Sequence, residues 1–298
     1  QVLGSRCPVI SRLASNQWLM LNCGGSQTGW VDMRLVTVTG RLAAWVGFSP
    51  MMLRASAAHF PGVGVVVGAT VAGLTAMLLA CLPHSPFAPL VAAVLGTVLS
   101  VMVTGAFHED GLADVADGLG GSTDRDRALL IMKDSRVGAF GALALVLALL
   151  SKVALLALIG SVSPRWMVLG IFAAHVVSRT WPLLLIRLMP HVGDAAGSKS
   201  KPLADQISGT SLLAAGMWCF IALALVFVGY GAIDSGSSHM STWSPISPLL
   251  VALFASSLGF AYMGRLLWRR LQGFTGDGLG ATQQLCELAF YLGLALAL

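Results

Sequence analysis

Charge is what this chain has least of. Only 10% of its 298 residues are Asp, Glu, Lys or Arg, against about a quarter in a typical soluble domain. Acids are scarcer than bases, 13 Asp and Glu against 18 Lys and Arg, for a formal net charge of +5. Cysteine is sparse too. Cys7, Cys23, Cys81, Cys219 and Cys286 are scattered and form no CxxC pair, so neither a disulfide framework nor a cysteine zinc site is indicated. Basic runs with interleaved aromatics are absent, and with them the footprint of nucleic-acid binding. The stretch 1–34 is polar and mixed, without an apolar core and cleavage site, so it is not read as a signal peptide. No internal repeat stands out, nor the inverted repeat of a transporter.

What is present is apolar: 56% of residues are hydrophobic. Long apolar runs recur at 63–82, 86–107, 138–162, 166–189, 212–234, 245–264 and 279–298. Each has about the length a helix needs to cross ~30 Å of hydrocarbon. The expected fold is all-α, a polytopic transmembrane helical bundle of about seven spans. The segment 35–58 mixes Arg41 and Arg54 with Leu42, Trp45 and Phe48, and reads as an interfacial amphipathic helix. Gly64, Gly68 and Gly73, with Ala142, Ala144 and Ala148, suggest close helix packing in lipid.

Basic residues alternate with the crossings. Arg34, Arg41 and Arg54 precede the first span; 108–137 carries Arg125, Arg127, Lys133 and Arg136; 190–211 carries Lys199 and Lys201; 265–278 carries Arg265, Arg269 and Arg270. The connections 83–85, 163–165 and 235–244 hold only Arg165. By the positive-inside rule the charged loops are cytoplasmic.

The most informative stretch begins where the second run ends. Asp110, Asp114 and Asp117 stand at i, i+4 and i+7, within roughly 60° of one another on a helix. Their neighbours Leu112, Ala113, Val115 and Ala116 are apolar, so the stripe faces protein or a cleft. Three carboxylates on one face repel, and a divalent cation relieves the repulsion. Oxygen donors without a Cys/His set suit Mg²⁺, or Mn²⁺. The alternative is a loop that is merely acidic at headgroup level. Glu109 points off the stripe and reads as an outer residue. His108 fits a general base, or a hydrogen-bonded structural histidine at a membrane edge.

Farther along, Asp124, Arg125, Asp126 and Arg127 alternate in charge and read as a solvated helix start. Lys133, Asp134 and Arg136 close the same loop, where they either clamp phosphate oxygens or simply flank a span. The Gly-rich run 273–281 contains Asp277 and opens a helix whose N-terminus favours anions. Inside the spans lie Lys152, Arg179, Arg187 and Glu287, near His175. Such residues are costly in lipid. Arg179 is a candidate to reach a phosphate, while Lys152 and Glu287 fit a structural pair equally well.

These strings resemble a family. GAFHEDGLADVADGL at 105–119, IMKDSRVGAFG at 131–141, the Ser178-Arg179 pair and GFTGDGLGA at 273–281 are similar to cobalamin synthase, the adenosylcobinamide-GDP ribazoletransferases of bacteria. The likeness covers 59–298, with HFPGVG at 59–64, and leaves 1–58 as a divergent N-terminal segment. It implies a Mg²⁺-dependent enzyme of the bacterial cytoplasmic (inner) membrane, its active site on the cytoplasmic side. Such an enzyme joins adenosylcobinamide-GDP to α-ribazole, or its 5′-phosphate, and releases GMP. On that reading His108, Asp110, Asp114 and Asp117 are catalytic, the three aspartates holding the metal. Lys133, Asp134, Arg136, Arg179 and Asp277 bind substrate. The partners are those two substrates and the lipid bilayer, not nucleic acid, and an oligomer is compatible. Two other classes fit less well. A CDP-alcohol phosphotransferase has Arg where Asp114 stands and a second acidic element that is missing here. A transporter would carry its acids near mid-membrane, whereas these gather at one end.

Overall fold

The computed structural model describes residues 56–193, 207–234 and 246–298, together with two short strands, β1 (Leu21–Cys23) and β2 (Gln27–Gly29), paired antiparallel. The expected amphipathic helix at 35–58 lies almost wholly outside the described residues, as do Lys199, Lys201 and 235–244. Among the described residues, the rest is helical apart from turns, short connections and one isolated bridge between His191 and Phe274.

Helix α1 (Phe60–Cys81) follows a 3-10 turn at Ala57–His59, and Pro61 sits in its first turn, where its missing N–H has no partner to lose. Then come α2 (Ala88–Thr104), α3 (Phe107–Gly121) and the short α4 (Arg125–Ile131). The long α5 (Ala139–Val162), α6 (Pro164–Leu188), α7 (Gly209–Asp234), α8 (Ile246–Leu271) and α9 (Gly276–Ala297) complete the bundle. Ser163 caps α6 by accepting from Trp166 N at 3.3 Å, and Asp124 caps α4 by accepting from Arg127 N at 2.8 Å. The alternating charges at 124–127 thus begin a helix, as their pattern implied.

Each of the seven apolar runs is a helix. By length and apolarity five of them can cross a membrane: α1, α5, α6, α7 and α8, and α2 with α3 makes a sixth bent by 88°. That is fewer than the seven expected. Helix α3 leaves the end of α2 at nearly a right angle. The seventh apolar run is α9. It is long enough at 22 residues, but Gln283, Gln284 and Glu287 interrupt its apolar run.

The outward faces suit lipid. Leu143, Val146, Leu147 and Leu150 of α5 and Leu213, Met217 and Phe220 of α7 are exposed, apolar faces that water would penalise. The interior groups Val67 and Val71 of α1, Leu156 and Ile159 of α5, Met167 and Ile171 of α6, and Phe290 and Leu294 of α9. A Cβ on Gly64 would lie 2.4 Å from the His175 carbonyl oxygen, so this glycine lets α1 approach α6. Gly73 meets nothing and Ala142 is exposed. Only part of the small-residue pattern therefore serves packing.

The charges inside the bundle pair with one another. Lys152 Nζ lies 2.6 Å from Glu287 Oε1, and both side chains are buried. Tyr291 donates to the same oxygen at 3.1 Å, and Gln283 Nε2 donates to Glu287 Oε2 at 2.8 Å. Of the two readings open for Lys152 and Glu287, the structure adopts the pair.

Candidate active site

The site begins at the bend between α2 and α3. Gly105 (φ 67°) and Ala106 (φ 60°) are both left-handed. Glycine takes that conformation freely, whereas alanine does so at a cost of roughly 1–2 kcal/mol. The paired left-handed residues swing α3 away, and its acidic face meets the start of α9. A Cβ on Gly111 would lie 2.7 Å from the Asp277 carbonyl oxygen, and one on Gly280 would lie 3.4 Å from His108 Cα. Only Gly111 must be glycine at this contact, since a Cβ on Gly280 would meet α3 at ordinary van der Waals distance. Thr275 caps α9 by accepting from Gly278 N at 3.1 Å. The preceding loop is fastened by Phe274 N donating to Pro190 O and Val192 N donating to Phe274 O, each at 3.0 Å.

Asp110 is exposed, Asp114 half-buried and Asp117 buried. Asp277 joins them. Burial, then the charges of Asp277, Asp110 and Asp117, push the Asp114 carboxyl up to about 7. Asp277, expected among the substrate-binding residues, thus neighbours Asp114 and extends the acidic stripe. Asp117 has different surroundings. Its Oδ2 accepts from Gly138 N at 2.7 Å and its Oδ1 from Gly141 N at 2.8 Å.

Glu109 is buried and accepts from Gln284 Nε2 at 3.0 Å. Gln284 also donates to Gln283 Oε1 at 3.1 Å, and Gln283 donates to Ser178 Oγ at 2.9 Å. A chain of buried amides therefore links the first turn of α3 to Glu287. Sequence reasoning passed over Gln283 and Gln284. Their signal was two adjacent amides in an apolar run, where an unpartnered polar group is costly.

The expected phosphate clamp divides. Arg136 is exposed and forms a two-pronged pair with Asp134: Nε donates to Oδ1 at 3.0 Å and NH2 to Oδ2 at 2.6 Å. These bonds hold the Asp134 carboxyl below its ordinary value. Lys133 is exposed on the same connection. Arg179, in contrast, is buried in α6, where NH1 meets His175 Nδ1 at 3.0 Å and donates to His175 O at 2.9 Å. His108 is half-buried against Phe107.

Arg270, read as a positive flank, and Arg125, read as a positive flank and part of a solvated helix start, turn out to cap helices. Arg270 NH2 donates to Leu119 O at 3.1 Å and Ser122 O at 2.6 Å, at the end of α3. Arg125 Nε donates to Leu271 O at 2.8 Å, at the end of α8. These bonds bring 108–137 and 265–278 to one end of the bundle, as the charge alternation required.

Among the described residues, no three His, Cys, Asp or Glu side chains already converge as a metal cage. The donors at the stripe are all carboxylate oxygens, and burial together with their mutual repulsion lifts Asp114. That chemistry fits a hard divalent cation, which takes few protein ligands and completes its shell with water and phosphate.

Residues 34–295 match the family model described as cobalamin-5-phosphate synthase. The match begins inside the segment expected to diverge. A protein of Albidiferax ferrireducens named adenosylcobinamide-GDP ribazoletransferase is 67% identical over 263 residues, covering 88% of this chain and 94% of its own length. Proteins of the same name from Polaromonas sp. (strain JS666) and Vibrio cholerae are 58% and 40% identical, over 88% and 82% of this chain and 93% and 84% of theirs. No solved structure matches. With a family match across nearly the whole chain and relatives this similar, the protein belongs to the cobalamin-5-phosphate synthase family.

Proposed function

We propose that this multi-pass membrane protein is an adenosylcobinamide-GDP ribazoletransferase. It joins adenosylcobinamide-GDP to α-ribazole, or its 5′-phosphate, and releases GMP. The observation that carries the reading is the carboxylate face of Asp110, Asp114 and Asp277, which lies in strings that resemble the family's. A hydroxyl of the ribazole attacks the phosphoryl group attached to cobinamide. The new P–O bond forms as the pyrophosphate P–O bond breaks, and GMP departs with that bond's electron pair. The hydroxyl proton passes to a carboxylate of the stripe or to His108. Burial and the Arg179 charge hold the His108 imidazole well below its ordinary value, which keeps it neutral but makes it the weaker base of the two.

Phosphoryl transfer depends on positioning and charge neutralisation. A Mg²⁺ ion, or Mn²⁺ in its place, held by Asp110 and Asp114 with Asp277 beside them, would neutralise pyrophosphate oxygens when bound. Lys133 and Arg136 are exposed cations near enough in sequence to the stripe to hold phosphate oxygens. The exposed Arg136–Asp134 pair exchanges at little cost, so substrate can displace Asp134. Arg179 serves better as a counter-charge among His175, Glu109 and Glu287. The site faces the cytoplasm of the bacterial inner membrane, because Arg125, Arg136, Arg269 and Arg270 gather at its end of the bundle. A transport path through Lys152, Arg179 and Glu287 is disfavoured because Lys152 pairs with Glu287 and Arg179 is engaged by His175.

The test is incubation of detergent-purified protein with adenosylcobinamide-GDP, α-ribazole and Mg²⁺. Formation of cobalamin with equimolar GMP is the expected result. No product at any metal concentration would refute the reading.

A further inference from the structure

The connection before α5 contains a glycine pattern that phosphate binding does not explain. Gly138 is the residue preceding the helix and Gly141 stands in its first turn; no side chain of the α5 segment caps that end. The cap comes from another helix. Asp117 of α3 places one carboxylate oxygen on each of the two amides, at 2.7 and 2.8 Å. The fit leaves no room for a side chain. A Cβ on Gly138 would fall 2.4 Å from Asp117 Oδ1, and one on Gly141 would fall 2.3 Å from Oδ2 and 2.9 Å from Ala113 O. The Asp117 side chain is 8% exposed, so few water molecules compete for its oxygens. An anion at a helix N-terminus is further favoured by the aligned peptide dipoles.

This arrangement engages both Asp117 oxygens with α5, although the three aspartates share one face of α3 and the Asp117 charge still acts on Asp114. Asp114 lies close enough to Asp277 of α9 to feel its charge, while both Asp117 oxygens are taken up by α5 amides. The consequence reaches the loop between α4 and α5. Lys133, Asp134 and Arg136 immediately precede Gly138, so the seat at Gly138 and Gly141 decides where that basic connection enters the membrane relative to the stripe.

We infer that Asp117 is a positioning residue, which fastens α3 to the N-terminus of α5 in a two-glycine seat and so sets the 133–137 connection beside the stripe, and is not a ligand of the cation. The inference rests on the cation reading of Asp110, Asp114 and Asp277. A ligand and a clamp are told apart by what removal does to metal binding and by whether blocking the seat has the same effect as removing the carboxylate.

The experiment uses the full chain in detergent, with Mn²⁺ binding followed by electron paramagnetic resonance and kinetics measured per folded protein. Asp117→Asn is expected to bind Mn²⁺ within about twofold of the unmodified chain. Its KM for the GDP-linked substrate should rise at least tenfold, a split that a general loss of stability would not produce. Gly141→Ala keeps every carboxylate and should reproduce that KM defect with Mn²⁺ binding intact. Gly138→Ala serves the same purpose where Gly141→Ala fails to accumulate. The double variant Asp117→Asn/Gly141→Ala should be no worse than either single one. Loss of Mn²⁺ binding in Asp117→Asn, with normal KM in the glycine variants, would overturn the inference. Asp114→Asn is the internal reference and should lose Mn²⁺ binding. Should it keep that binding, the cation reading falls, while a shared KM defect in Asp117→Asn and the glycine variants still upholds the clamp.

Discussion

Gln284 of α9 donates its side-chain amide to Glu109 of α3 across 3.0 Å, and both groups are buried. The bond sits directly beside Asp110, so the first turn of the acidic helix is tied to the helix that supplies Asp277. The left-handed pair at Gly105 and Ala106 breaks the continuity of α2 and α3. Side-chain ties such as this one must therefore fix how α3 lies.

Gln284→Leu would leave Glu109 buried without that donor. An unsatisfied buried group costs ~1–3 kcal/mol, more when charged. The expected outcome is a lower thermal midpoint in detergent together with reduced turnover, because α3 loses its setting against α9. An unchanged midpoint would mean that water replaces the amide freely.

The Lys152–Glu287 pair predicts a charge-reciprocal pattern. Lys152→Met or Glu287→Gln alone strands a buried charge, at a cost of ~3–5 kcal/mol. The double variant Lys152→Met/Glu287→Gln should recover part of that loss. Thermal unfolding of the purified variants decides the matter, and simple additivity of the two losses would count against a coupled pair.

Asp114 gives the metal-free protein a pH dependence of defined sign. Its folded value is about 7 against an ordinary 3.8, so the folded state binds this proton more tightly than the unfolded one. The resulting bias toward the folded state is complete below the lower value and is lost as pH rises through about 7. Melting temperature in EDTA should thus fall between pH 5.5 and pH 8. Asp114→Asn should flatten that fall. Saturating Mg²⁺ should raise the midpoint more at pH 8 than at pH 5.5, since proton and cation compete for the same carboxylate.

Much of this was legible in the sequence because the membrane imposes simple rules. The apolar runs became helices at their expected places, and charge alternation put 108–137 and 265–278 at one end. Five helices and one bent pair are long and apolar enough to cross; α9 differs because its apolar run also carries the buried amides and Glu287 that serve the bundle's interior. The acidic stripe was readable as a periodicity of carboxylates. That Asp277 neighbours Asp114, and that Asp117 turns to α5, were not readable, because both depend on which helices touch α3 after the bend. Arg125 and Arg270 were hidden for a similar reason. A basic residue at a membrane edge looks the same in sequence whether it faces water or caps a neighbouring helix.

The central claim is that Asp110, Asp114 and Asp277 form a cation-dependent phosphotransfer face. It is tested most directly by the initial rate of GMP release from adenosylcobinamide-GDP and α-ribazole, with Mg²⁺ and in excess EDTA. Asp110→Asn, Asp114→Asn and Asp277→Asn are compared with Asp126→Asn, whose side chain is 84% exposed. The account predicts release only with the metal, a loss of at least ~100-fold in each of the three stripe variants, and a near-normal rate for Asp126→Asn. Full turnover in EDTA, or stripe variants as fast as the unmodified chain at saturating Mg²⁺, would contradict it.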